Sequence, residues 1–203
     1  MRRVKSNQRQ LFGRVLILCE GDTEKLYFQE IKSSLPRDKK RGLTIDVDKS
    51  KGRDPLSLVT EAIRRKASAK GEGNPYKEIW VVFDHDNFPN RELAIKKAKT
   101  ANLQIAFSSI NIEVWFIFHF EYKLKVFLNG DEVKKYFAEK YLKGYQPGRT
   151  KVYEQIQSKT NTAIANAERL KEAKKEEIES GVLETNLNPY LTIDALVKFL
   201  LDI

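Results

Sequence analysis

The chain has 203 residues, 41% of them hydrophobic, and a formal net charge of +9 at pH 7. This size suits one domain with room for a small appendage, and no run of about 18 apolar residues indicates a membrane span. A single cysteine, Cys19, excludes an internal disulfide framework and argues against a Cys/His zinc site, so we expect a cytoplasmic protein without a membrane partner.

The positive charge is concentrated in residues 1–120, which hold 23 basic and 15 acidic side chains. A basic surface of this kind favours polyanions such as nucleic acid. A charge of +9 also keeps a small protein soluble without any such partner, so charge alone leaves both interpretations open.

Strands and helices are predicted to alternate along the first 107 residues, because short apolar β-branched runs are separated by amphipathic ones. In chain order we predict a strand at 14–19, a helix from about 22 to 35 capped by Asp22 or Thr23, a basic loop at 36–42, a strand at 43–48, a helix at 55–69, a strand at 78–83, a helix at 92–101 and a strand at 103–107. Such alternation predicts an α/β fold with a mostly parallel sheet flanked by helices.

The segment at 112–122 is apolar on nearly every side and predicts a deeply buried helix or strand. Residues 123–203 predict a helical C-terminal extension, with helices near 131–142, 150–178 and 190–202, the last capped by Thr192. We therefore divide the chain into a catalytic domain at 1–122 and an extension at 123–203 that packs on it.

Acidic residues follow two of the predicted strands. Glu20 comes directly after the first strand, Glu24 lies four residues later, and Asp84 and Asp86 come directly after the third. Ligand sites in parallel α/β sheets form beyond the carboxyl ends of the strands, so the four carboxylates converge if these strands are neighbours. Hard oxygen ligands suit Mg²⁺ or Mn²⁺.

Each acid also has an ordinary explanation. Asp84 could cap a helix, Asp86 could be solvated, and Glu20 could begin a turn; a nearby Lys or Arg could neutralise any of them. The loop after the second strand carries Lys49, Lys51 and Arg53, which could steer a phosphate backbone or form a solvated turn. No P-loop pattern is present.

Three motifs in order, "VLILCEGDTEKLYF", "IWVVFDHDNF" and "AFSSINIEVWFIFHF", resemble the RloB-like family, which is related to the abortive-infection protein AbiLii and has a Toprim-like domain. The resemblance implies that Glu20, Glu24, Asp84 and Asp86 are catalytic metal ligands. It also implies a catalytic role for Glu113. The usual Asn-Pro before that glutamate is replaced here by Ser109-Ile110.

The leading hypothesis is a metal-dependent nuclease that uses Mg²⁺ or Mn²⁺ to hydrolyse RNA, including tRNA, or DNA. The resemblance further implies a phage-defence effector that acts with an ABC-type ATPase, and it is compatible with a homodimer. A non-catalytic nucleic-acid-binding or regulatory subunit is the alternative, and another phosphotransfer reaction is a third.

Overall fold

A four-stranded parallel sheet forms the centre of the protein, whose computed structural model describes residues 13–40, 43–52, 54–84 and 90–203. The strands are β1 (Gly13–Cys19), β2 (Leu43–Lys49), β3 (Glu78–Asp84) and β4 (Gln104–Ser108), in the spatial order β2-β1-β3-β4. All four predicted strands are confirmed. The predicted fold class is also confirmed, and it is consistent with a Toprim-like α/β fold.

The strand register aligns the carboxyl ends of the sheet. Cys19, the last residue of β1, pairs with Lys49 of β2 and with Val82 of β3. Asp84, the last residue of β3, pairs with Ser108 of β4. All four strands therefore end within about two residues of one another at the same edge.

Helices cover both faces of the sheet. The first four are α1 (Asp22–Ser34), α2 (Arg37–Lys40), α3 (Pro55–Gly71) and α4 (Arg91–Thr100). Alternate residues of β1 enter two separate apolar clusters: Val15 and Ile17 pack with α1, whereas Leu16 and Leu18 pack with α3 and α4. This burial on both sides explains why the central strands β1 and β3 are continuous apolar runs.

The C-terminal part is helical, as predicted. It contains α5 (Glu113–Phe118), α6 (Gly130–Lys140), α7 (Tyr153–Ile156), α8 (Thr160–Ala173), α9 (Lys175–Glu179) and α10 (Ile193–Asp202). Side chains of α6, α8 and α10 join the apolar cluster that contains α1. The domain boundary at 122 stays a prediction. Among the described residues, no helix combines the length and apolarity needed to cross a membrane.

Several local predictions were wrong. The basic loop at 36–42 contains the short helix α2, and α1 begins after Gly21, so neither Asp22 nor Thr23 caps it. Thr192 does occupy the N-cap position of α10, as predicted, but its side chain makes no capping bond; its hydroxyl accepts a hydrogen bond from the amide of Phe107 at 3.0 Å. For Thr192, the long-range contact with β4 outweighs the local preference for capping. For the segment at 36–42, a short helical turn forms where a loop was predicted.

Candidate functional site

The strand order places two acids at the switch point of the sheet. From β1 the chain passes to β2 on one side and later to β3 on the other, which opens a crevice at the carboxyl ends of β1 and β3. Asp84 ends β3, and Glu20 directly follows β1, where its amide donates to the carbonyl of Val82 at 2.9 Å. The two strands, β1 and β3, are therefore adjacent in the sheet.

Two further carboxylates approach from helix starts. Glu24 lies in the first turn of α1 and is 5% exposed, and Glu113 is the first residue of α5 and is 1% exposed. The turn before α5 is held by the Ser108 hydroxyl, which donates to the carbonyl of Asn111 at 2.7 Å. The peptide bond between Ser109 and Ile110 in this turn is cis. This turn leads into α5, whose first residue, Glu113, interacts electrostatically with Asp84 at the end of β3.

Asp84 interacts electrostatically with the other three carboxylates. Burial raises the pKa of Asp84 well above its usual range, and the carboxylates of Glu24, Glu113 and Glu20 raise it further. Asp84 and Glu24 are close enough to share a proton, and burial raises the pKa of Glu24 as well. Burial also raises the pKa of Glu113. A cluster of this kind favours protons or a cation.

The donor set fits a hard divalent cation. Glu24 Oε2 is buried and receives no hydrogen bond. In the described ranges, no Lys or Arg makes an ion pair with Glu24, Asp84 or Glu113. No three Asp, Glu, His or Cys side chains in those ranges are already grouped to hold an ion. The described carboxylates therefore do not by themselves form a three-ligand ion site.

Two of the predicted residues lie outside the described residues: Asp86, the fourth predicted ligand, and Arg53 of the predicted phosphate-steering loop. The other two basic residues of that loop are at the same edge as the acids. Lys49 ends β2 and is paired with Asp22 at 2.6 Å, while Lys51 is exposed. The ion pair occupies the ammonium group of Lys49, so Lys51 is the freer of the two described cations.

Sequence analysis missed Tyr145, which lies between α6 and α7. Its hydroxyl donates to Glu113 Oε1 at 2.6 Å, and its side chain is 8% exposed. Burial and the neighbouring Glu113 carboxylate raise the pKa of Tyr145 far above its usual range, so the hydroxyl stays protonated. The available signal was an aromatic residue in a glycine-rich turn, "KGYQPGR", which local periodicity does not connect to Glu113.

Comparison with known proteins identifies one family. The family model described as "RloB-like protein" matches residues 15–200, which include most of β1, the acidic residues and most of the helical extension. No curated protein matches the chain significantly.

Proposed function

The chain belongs to the RloB-like protein family, and from that premise we propose that it is a divalent-cation-dependent nuclease acting on RNA or DNA. The proposal includes its role as a phage-defence effector that works with an ABC-type ATPase. The observation that carries the nuclease proposal is the electrostatic influence of Glu24, Glu113 and Glu20 on the buried Asp84 at the switch point of the sheet. Among the described residues, Glu24, Asp84 and Glu113 make no ion pair with a Lys or Arg side chain.

The residues that would hold Mg²⁺ or Mn²⁺ are Glu20, Glu24, Asp84 and Asp86. When bound, such an ion supplies a more acidic water and stabilises negative charge on the leaving oxygen. The chain's own contribution is positional, because adjacent parallel strands fix the backbones of Glu20 and Asp84. Tyr145 holds the carboxylate of Glu113 in one orientation by donating to Oε1.

A non-catalytic nucleic-acid-binding subunit is the main alternative. Binding a polyanion requires cations, and buried carboxylates of one sign raise the energy of the folded state. A binding subunit gains nothing from keeping Glu24, Asp84 and Glu113 together. The cluster therefore supports a catalytic role over a purely binding one.

The deciding experiment is a cleavage panel. The purified protein, with and without a candidate ABC-type ATPase, is incubated with tRNA, mRNA and plasmid DNA in Mg²⁺, Mn²⁺ or EDTA. We expect cleavage of at least one substrate in a divalent cation and none in EDTA. Cleavage that persists in EDTA would contradict the proposal. Binding without cleavage under every condition would favour the alternative.

Replacement of Gly21 by alanine tests the placement of Glu24. A Cβ at Gly21 would lie 2.3 Å from Glu24 Oε2, while the backbone there is extended (φ −114°, ψ 171°) and accepts any residue. The Glu24 carboxylate must therefore move. A misplacement of about 1 Å can cost about a hundredfold in rate, so we expect cleavage to fall about 10- to 100-fold with little change in melting temperature.

The matched control for this change is Gly71→Ala, at the end of α3. A Cβ there meets no heavy atom within 4 Å, and the position lies at the opposite edge of the sheet. We expect wild-type cleavage from this variant. Equal rates for both alanine variants would show that the position of the Glu24 carboxylate does not matter.

The stability of the metal-free protein should fall as pH rises. The pKa values of Glu24, Asp84 and Glu113 are raised, so above about pH 4 the folded state binds more protons than the unfolded state. Removing one of these charges should then stabilise the protein. We expect Asp84→Asn in EDTA to melt above wild type at pH 8, by about 2–4 °C for each kcal/mol of relieved repulsion.

At pH 5 this difference should shrink, because the cluster is then more fully protonated. Addition of Mn²⁺ at pH 8 should stabilise wild type more than the variant, since the cation replaces the protons. The measurement is thermal denaturation at constant ionic strength. A variant that melts below wild type in EDTA at pH 8 would indicate that Asp84 is neutralised by a neighbouring group.

A further inference from the structure

The turn at 143–151, between α6 and α7, makes two close contacts near the acidic cluster, one with Glu113 and one with the first turn of α1. The first is the buried hydroxyl of Tyr145, which donates to Glu113 Oε1 at 2.6 Å. The turn is also closed on itself, because the amide of Gln146 donates to the Thr150 hydroxyl at 2.8 Å and the amide of Thr150 to the Gln146 carbonyl at 2.9 Å. Its position relative to Glu113 is therefore fixed by contacts within the described chain.

Gly148 provides the second point of attachment. A Cβ on this residue would lie 3.0 Å from Cβ of Asp22 and 3.8 Å from the amide nitrogen of Thr23. Its φ of +68° lies in the left-handed region, so both the close approach and the backbone conformation require glycine. The turn thus packs directly against the first turn of α1, which carries Glu24. The residue after Gly148 therefore lies close to the first turn of α1.

That residue is Arg149, and Lys143 lies at the start of the same turn. Both side chains are exposed, and neither has a carboxylate within ion-pair distance in the described ranges. Lys49 at the same edge is instead occupied by Asp22. A guanidinium group without a partner keeps all of its donors for phosphate oxygens, which it binds in a bidentate manner.

We propose that the 143–151 turn is the phosphate-backbone contact of this site, with Arg149 holding a phosphate of the nucleic-acid strand beside the acidic cluster. The cluster repels a polyanion, so a strand that approaches it needs a cation fixed close by. Tyr145 and Gly148 keep the turn in place while Arg149 remains exposed. This inference rests on the proposed function, because it assigns a substrate contact to the same site.

The test is a binding measurement that does not depend on cleavage. Arg149→Gln is compared with its parent in the Asp84→Asn background, with fluorescein-labelled single-stranded RNA and duplex DNA, by fluorescence anisotropy across a salt series in Mg²⁺. One phosphate contact changes the slope of log K against log[salt] by about 0.9 for duplex DNA and about 0.7 for a single strand, which is about eightfold and about fivefold in affinity at 0.1 M salt. We expect that loss with Arg149→Gln, whatever the base sequence.

Lys70→Gln is the matched control. Lys70 is also exposed and makes no ion pair among the described residues, but it lies near the end of α3, at the other edge of the sheet. It should leave affinity and slope unchanged. Equal effects of the two substitutions, no effect of either, or no binding by the parent would overturn the inference. If the protein cleaves nucleic acid but Arg149→Gln leaves binding unchanged, this inference alone is refuted. If the protein shows no cleavage but Arg149→Gln weakens binding, only the nuclease proposal is refuted.

Discussion

Asp84→Asn is expected to lower divalent-dependent cleavage by about a thousandfold or more. Asp84 ends β3 at the switch point and interacts with the other three carboxylates of the cluster. Asparagine keeps the size of the side chain and removes its charge. A contribution of about 4 kcal/mol to charge stabilisation, of the size usual for a metal site, corresponds to a rate factor of about a thousand. The measurement is a single-turnover rate in Mg²⁺ and in Mn²⁺.

Glu20→Gln should reduce the rate in the same way, since Glu20 directly follows the adjacent strand β1 and interacts electrostatically with Asp84. Asp202→Asn is the matched control, because it removes one exposed negative charge at the end of α10. Asp202 lines a groove with Gly13 and Leu43, at the sheet edge opposite the site. Retention of wild-type rates by both Asp84→Asn and Glu20→Gln would assign the activity to another site or to a contaminant.

Lys171→Met is expected to lower the free energy of unfolding by about 3–5 kcal/mol, the cost of leaving a buried charge without its partner. Lys171 on α8 donates to both carboxylate oxygens of Asp194 at 2.6 and 2.7 Å, and Asp194 is 1% exposed in the first turn of α10. Lys198 is 3.5 Å from Asp194 and offers partial compensation, which places the expected loss near the lower end of this range.

Denaturation in urea measures this loss, with Lys175→Met as its control. Lys175 also pairs with a glutamate, Glu172, but at 4.0 Å and on the exposed surface. Exposed pairs contribute about 0–1 kcal/mol, so the control should unfold close to wild type. A loss below 1 kcal/mol for Lys171→Met would mean that the ion pair between α8 and α10 contributes little and that apolar packing holds α10 in place.

The success of sequence analysis differed between elements for physical reasons. The central strands were predicted because burial on both faces demands continuous apolar runs such as "RVLILC", and the edge strand β2 because "LTIDVD" alternates. The stretch at 150–178 was predicted as one helix but is divided into α7, a 3₁₀ turn at Gln157–Lys159, α8 and α9. Its breaks involve no proline, and composition alone does not mark them.

Membership of the RloB-like family, the parallel α/β fold class and the acids after β1 and β3 were all determined by the sequence itself, because local periodicity and short motifs record them directly. Only the tertiary structure decided that β1 and β3 are neighbours and that Glu24 and Glu113 approach Asp84 from two helix starts. It also decided that Tyr145 donates to Glu113 across a separation of 32 residues. Strand order and such distant contacts depend on how the apolar faces of the helices pack on the sheet, and no local pattern of residues encodes that choice.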